Sequence, residues 1–382
     1  MELPKKLLNK LQKKKSANAL RTLKVSKGLI DFSSNDYLGL ASSEIIFDAS
    51  HQYLRNKGLK NNGATGSRLL TGNSVVHEKT EAFLAKIHNS ESAILFNSGY
   101  NANTGLLSAI GQRNDIILFD EFSHASIRDG IRLSHAKSFS FNHNNLADLQ
   151  SKLERHADAC STSDHIYVIT ESVFSMDGDS PDLKSLAGLC KKFNAYLIVD
   201  EAHAVGVFGK GLVDELELEK EVFATIVTFG KAIGCHGAAV LCSDALKQYL
   251  INFSRPFIYS TAMSTHSLAT IQMAYQLLFE KHEFAAKEQF LQENINHFRS
   301  EIDRLSLSQC FVESQSAIQS CIITGNDEVK KAASALNNKS YDVRPILSPT
   351  VPEGKERLRF CIHSFNTPEE ITTVLEILSI FV

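Results

Sequence analysis

The sequence predicts an α/β protein built on a mostly parallel sheet covered by helices. Six short runs are apolar on both faces, as strands buried between two helical layers must be, and helical stretches such as Leu183 to Phe193 separate them. Several of the runs stop directly at polar residues, and the carboxyl ends of strands are where open parallel sheets carry ligands.

In chain order the runs are Ala93–Phe96, Ile116–Phe119, Ile166–Ile169, Tyr196–Val199, Thr225–Val227 and Ala238–Leu241. From about Ala245 the alternation gives way to long helical stretches, then to strands (Ser320–Ile323, Leu358–Ile362) and helices (Glu328–Leu336, Pro368–Phe381) in separate blocks. This change predicts an N-terminal helix and segment over 1–40, a large domain over 41–245, and a smaller α+β domain with connecting helices over 246–382. Neither an internal repeat nor a low-complexity linker interrupts the chain.

With 382 residues and 43% hydrophobic content, the chain has enough apolar surface for a large core. Its 40 Lys+Arg against 43 Asp+Glu leave a net charge of −3, too small a field to attract nucleic acid or an acidic membrane. Seven scattered cysteines with no Cys-x-x-Cys pair read as reduced thiols, not as disulfides or a zinc site, so no metal is expected. No run approaches a membrane span and no signal-peptide core follows Met1, so the expected compartment is the cytoplasm. The basic stretch from Lys5 to Lys27 reads as a solvated helix that docks through Leu3, Leu7, Leu8 and Leu11. A presequence or a membrane-surface helix is the other reading of such a pattern.

The strand ends carry the chemistry. Tyr196–Val199 stops at Asp200-Glu201-Ala202-His203, and Thr225–Val227 leads into Thr228-Phe229-Gly230-Lys231. A lysine at one buried strand end and an acid with a histidine at another are what pyridoxal phosphate (PLP) chemistry requires. The amine captures the aldehyde, and the carboxylate keeps the pyridine nitrogen protonated. Small neighbours around Lys231 leave little bulk beside the amine, and apolar surroundings favour its neutral form. Asn97-Ser98-Gly99-Tyr100-Asn101 can open a helix whose amides face a phosphate. His124 and Ser175 follow two further runs. Asp200 to His203 also spells the DEAH box of some helicases, but that reading needs a phosphate loop, G-x-x-x-x-G-K-[ST], and neither Gly209-Lys210-Gly211 nor Gly230-Lys231-Ala232 supplies one.

These residues, with Phe32-Ser33-Ser34-Asn35-Asp36-Tyr37-Leu38-Gly39-Leu40, the Gly63–Gly72 loop, Ser123–Ser126 and Phe174–Asp179, resemble the α-oxoamine synthases, PLP enzymes of fold type I. The likeness runs from about Ala19 to the C-terminus. It is nearest to the branch serving biotin biosynthesis through Gly237–Leu241, Ile258–Thr261, Ser316–Gln319 and Pro349–Pro352 followed by Arg357-Leu358-Arg359. The resemblance implies a seven-stranded sheet and a decarboxylative condensation of L-alanine with a pimeloyl thioester, carried by CoA or a carrier protein. Sister enzymes using glycine or serine are the alternative.

Residue by residue, the resemblance implies that Lys231 forms the Schiff base and Asp200 pairs with the ring nitrogen. His124 and Ala202 would flank the ring, His203 and Ser175 would bind its hydroxyl, and Gly99, Tyr100 and Thr228 would lie at the phosphate. Ser260 or Thr261 would reach the phosphate of a neighbouring subunit, making a homodimer with shared sites. Asn35 and Arg359 match amino-acid carboxylate binders, and Arg21 and Thr350 match acyl-substrate positions. Two departures fall near the proposed acyl entrance: Asn366 stands where relatives commonly have histidine, and Ile346-Leu347-Ser348 stands where an Arg-Pro pair is usual.

Overall fold

A computed structural model describes residues 3–21, 23, 28–157, 164–348 and 350–382. Lys24 and Lys27 of the basic segment, Cys160 and Pro349 lie outside the described residues. In chain order the strands are β1 (Ile30–Asp31), β2 (Ser92–Phe96), β3 (Ile116–Asp120), β4 (Lys137–Phe141), β5 (Ile166–Glu171), β6 (Tyr196–Asp200), β7 (Ala224–Thr228), β8 (Ala238–Cys242), β9 (Ile318–Ile322), β10 (Tyr341–Asp342), β11 (Arg344–Ile346) and β12 (Arg357–Cys361). The chain divides into two compact units. The larger holds residues 35–175 and 180–288; the smaller holds 1–34, 176–179 and 289–382.

The larger unit is built on a seven-stranded sheet of order β2-β8-β7-β6-β5-β3-β4. Only β8 runs against its neighbours, pairing antiparallel with β2 and β7. The α/β class and the mostly parallel seven-stranded sheet are as expected. The six apolar runs became six strands; the seventh, β4, was not among them. Its Lys-Ser-Phe-Ser-Phe sequence lies at the sheet edge with its first four residues exposed, so it has no two-faced apolar signature.

Side-chain alternation sorts the central strands between two cores. On β6, Ile198 enters the core that includes Leu106 and Leu107 of helix Gly99–Ile110, whereas Leu197 and Val199 enter the core with Leu186 and Val213. With a period of two, Asp200 continues the Ile198 side, and Glu201 takes the Val213 side. Glu201 is 1% exposed and accepts hydrogen bonds from the Leu212 and Val213 amides at 2.9 and 3.2 Å. Gly211 makes this approach possible: at φ +123° its missing Cβ would stand 1.9 Å from Glu201 Oε2.

The larger unit does not end at the expected 245/246 boundary but continues to Glu288. Helix Thr265–Tyr275 packs on helices Glu44–Asn56 and Val75–Ile87, so these residues complete the larger unit's core. Helical periodicity alone does not say which body a helix joins. In the smaller unit, β11, β12 and β9 form an antiparallel sheet in that order, and β1 pairs with β10 in parallel. Its last helix, Pro368–Leu378, opens on a capping box between Thr367 and Glu370 with Pro368 in the first turn.

The N-terminal helix Lys5–Ser16 departs from expectation. It has no buried residue, and Leu3, Leu7, Leu8 and Leu11 are 46–50% exposed, so its leucine face does not dock. The fastening is polar and follows the helix: Asn18 Nδ2 donates to Asp327 Oδ1 at 2.8 Å, and Lys330 Nζ donates to Asn18 Oδ1 at 2.7 Å. Among the described residues no helix is long and apolar enough to cross a membrane. Among the described residues the cysteines form no disulfide, and Cys190, Cys242, Cys321 and Cys361 are buried.

Burial is the main cause that pushes the Glu201 carboxyl up to about 8, and the charge of Asp200 adds to it, against the opposing hydrogen bonds from Ser172 and the Leu212 and Val213 amides. The folded state therefore holds this proton more tightly than the unfolded chain. The resulting stability is complete below the ordinary carboxylate range and is lost as pH rises through about 8. Urea denaturation at acid, neutral and mildly alkaline pH should show that Glu201→Gln removes part of the wild-type loss, on the order of 3 kcal/mol. Parallel pH profiles for the two proteins would contradict this assignment.

Candidate active site

The site follows from where the parallel strands of the larger unit end. β6 delivers Asp200 and β7 delivers Thr228, with Lys231 three residues further on in a tight loop. There the Cys235 amide donates to the Phe229 carbonyl at 2.6 Å and the Gly234 amide donates to the Lys231 carbonyl at 2.9 Å. Gly234, at φ +68°, lets this loop pass against Ala41, whose amide nitrogen would lie 2.3 Å from an added Cβ. A cavity of about 260 Å³ opens at these strand ends. Ser98, Gly99, Tyr100, Asn103, His124, Ser126, Glu171, Asp200, Ala202, His203, Thr228, Gly230, Lys231, His236 and Gly237 line it.

One end of the cavity is suited to an anion. Helix Gly99–Ile110 begins there, with the Ser98 side chain accepting from the Asn101 amide at 3.2 Å as N-cap. Gly99 is packed against Thr228, whose Cγ2 would lie 2.7 Å from a Cβ at that position. Tyr100, 46% exposed, hydrogen-bonds Asp129 through its hydroxyl.

Deeper in, Asp200 is 6% exposed, and its carboxylate accepts from Asn103 Nδ2 at 2.7 Å and from the Ala202 amide at 2.9 Å. A buried carboxylate needs such donors. His124 caps helix Ala125–Leu133, and its Nδ1 is 2.7 Å from Ser126 Oγ. Burial holds the His124 ring below its ordinary pKa, and the Lys231 charge works in the same direction while Asp200 opposes it. Glu171 accepts from the His124 amide at 2.6 Å; burial first, then the charge of Asp200, push its carboxyl well above the usual range. His203 Nδ1 is 2.7 Å from the Tyr37 hydroxyl, which donates to Asn35 Oδ1 at 3.2 Å.

The structure thus brings Lys231, Asp200, His124, His203, Ala202, Gly99, Tyr100 and Thr228 to one cavity. Asn35 connects to it through Tyr37. Ser175 is not among the lining residues. Ser260 and Thr261 line a separate small recess with Arg68, His77 and Phe257. Arg21, Thr350 and Arg359 belong to the smaller unit, where Arg21 Nη2 donates to Thr350 Oγ1 at 3.0 Å and brings the two acyl-substrate candidates together. Arg359 on β12 is 8% exposed, with Nη1 3.1 Å from Cys361 Sγ. Asn366, one of the departures, is buried and accepts from the His363 amide at 2.9 Å, so in this chain it closes a local turn.

Sequence reasoning gave no role to Asn103 or Glu171, and named Tyr37 and Ser126 only within longer motifs. A signal existed for Asn103: it lies four residues after Gly99, on the same helix face one turn in. Chemically, the donor set offers one amine for an aldehyde, one buried carboxylate for a protonated ring nitrogen, an imidazole beside them, and a helix N-terminus for a phosphate. These residues fit PLP.

Comparison with known proteins agrees with this chemistry. The chain is 40% identical over 366 residues to the 8-amino-7-oxononanoate synthase of Emericella nidulans, covering 91% of this chain and 88% of that protein. It is 38% identical over 349 residues to a putative 8-amino-7-oxononanoate synthase of Neisseria meningitidis, covering 90% and 89%. Among solved structures, the Francisella tularensis 8-amino-7-oxononanoate synthase superposes with a TM-score of 0.76 at 30% identity, over 93% of this chain and 98% of that one. A serine palmitoyltransferase of S. paucimobilis with a bound PLP–myriocin aldimine superposes at 0.86 and 26% identity, over 99% and 96%. The aminotransferase class I and II family matches residues 27–378, and the chain belongs to that family.

Proposed function

We propose that the protein catalyses the reaction of the 8-amino-7-oxononanoate synthases it resembles: the PLP-dependent condensation of L-alanine with a pimeloyl thioester, with loss of CO2, in biotin biosynthesis. The observation that carries this reading is the convergence of Lys231, Asp200 and His124 on one cavity at the ends of parallel strands in a chain 37–40% identical to proteins of that name.

When bound, PLP supplies an aldehyde that an amine can capture and a ring that accepts the electron pair of a breaking bond at the amino acid's α-carbon. Lys231, whose side chain lines the cavity, would hold that aldehyde through Nζ. The same amine would serve as the base and acid for the proton at the amino acid's α-carbon. Asp200, which accepts hydrogen bonds from Asn103 Nδ2 and the Ala202 amide, would pair with the protonated ring nitrogen. His124 and Ala202 confine the ring. His203, held by the Tyr37 hydroxyl, would bind the ring hydroxyl, and the amides after Ser98 and the Thr228 hydroxyl would hold the phosphate.

Arg359 and Asn35 are assigned to the amino acid's carboxylate, since a guanidinium can hold it through two parallel hydrogen bonds. Arg21 and Thr350 are assigned to the acyl thioester. Ser260 and Thr261, in their separate recess, are assigned to the phosphate site of a second subunit, in a homodimer with shared sites. A second reading, condensation of serine with a long-chain acyl thioester, is favoured by the superposition on serine palmitoyltransferases, with TM-scores of 0.86–0.88 at 25–26% identity.

Product analysis decides between the two. Mass spectrometry of reactions containing pimeloyl-CoA and either L-alanine, glycine or serine should find 8-amino-7-oxononanoate from alanine, with the other amino acids at least about tenfold slower, as one misfitted side chain costs. A preference for serine with a long-chain thioester would move the assignment to the second reading. Asp200→Asn keeps the side-chain shape and removes its charge; turnover should fall by about a thousandfold or more, while PLP still binds. An active Asp200→Asn enzyme would remove the role assigned to that carboxylate.

A further inference from the structure

Two buried side chains that line the cavity, Asn103 and Ser126, have no part in the reaction as assigned so far. Asn103 is 2% exposed, and its Nδ2 donates both to Asp200 Oδ2 at 2.7 Å and to Ser126 Oγ at 3.1 Å. Ser126 Oγ in turn lies 2.7 Å from His124 Nδ1. Asn103 Oδ1 is buried with no hydrogen-bond partner among the described residues. Leaving a buried carbonyl unsatisfied is unfavourable, so what this amide contributes lies in its two N–H groups.

The carboxylate it binds has a rival. Glu171 and Asp200 are register partners on the parallel strands β5 and β6, and both line the cavity. Two carboxyls in such a place do not ionise independently, and the donors around them decide which one carries the charge. Asp200 receives Asn103 Nδ2 and the Ala202 amide; Glu171 receives the His124 amide. Lys231, His124, Asp120, Asp129 and Glu201 act electrostatically on the pair or on His124, and the rings of His203 and His236 line the same cavity.

We propose that Asn103 is a positioning residue that assigns the negative charge to Asp200 instead of Glu171 and couples that carboxylate, through Ser126, to the ring of His124. The upward displacement of the Glu171 carboxyl agrees with this partition. The proposal rests on the reading that the cavity holds PLP, with Asp200 at the ring nitrogen. Asn103 would then act on the ring nitrogen through Asp200.

Asn103→Leu keeps the volume and removes both donors. In the PLP-loaded protein it should weaken PLP binding by about tenfold, as loss of one charge-assisted hydrogen bond does. It should also make the visible absorbance of the bound cofactor vary with pH where the wild type is flat, and lower kcat more than it raises the KM for L-alanine. Wild-type affinity with an unchanged pH profile would overturn the proposal. Ser126→Ala cuts only the His124 arm, and its effect is read without cofactor by NMR titration of the His124 ring in the cofactor-free protein. The midpoint should move from the wild-type value, and an unmoved midpoint would overturn the coupling. If Asn103→Leu fails to fold, the Ser126→Ala titration decides alone. Failure of the wild type to bind PLP at all would instead refute the cofactor reading and leave the titration result standing.

Discussion

A buried acidic side chain that needs donors from other elements is the constraint around which the larger unit is arranged. Asp200 ends β6 on the face covered by helix Gly99–Ile110, and water is largely excluded from it, so its charge depends on donors that the fold must bring from elsewhere. Asn103 comes from that helix and the Ala202 amide from the turn after the strand. The same helix that supplies Asn103 begins at the cavity with its free amides. Docking it on the sheet therefore places a carboxylate partner and an anion site in one step.

Alternation at the end of β6 sends two acids into different surroundings. Asp200 faces the cavity, whereas Glu201 turns to the opposite core and is consumed by the turn at Gly211 to Val213. The four letters that resemble a helicase box are thus divided between the two faces of one sheet. Asp200 and His203 line the cavity with Lys231, and Glu201 does not.

Much of this was legible in the sequence because central parallel strands write a two-faced apolar signature and end at their ligands. That signature located six strands and led directly to Asp200, His203 and Lys231. It failed at β4, whose edge position leaves Lys137 to Ser140 in solvent, and at the boundary after 245, where helix Thr265–Tyr275 joins the larger core although its periodicity is that of any packed helix. Asn103 and Glu171 were illegible for a different reason. Their importance comes from pairing across elements, Asn103 with Asp200 from helix to strand and Glu171 with Asp200 from strand to strand, and no local pattern records such a pairing. The leucines of the N-terminal helix have an amphipathic pattern, but a pattern does not guarantee a partner surface within the chain.

The central claim is that Lys231 is the amine that holds the cofactor. The direct test is to load the purified protein with PLP, reduce with borohydride, digest, and identify the modified peptide by mass spectrometry. The account predicts a single phosphopyridoxyl group on Lys231. A label on any other lysine, or a protein that takes up none, would contradict it.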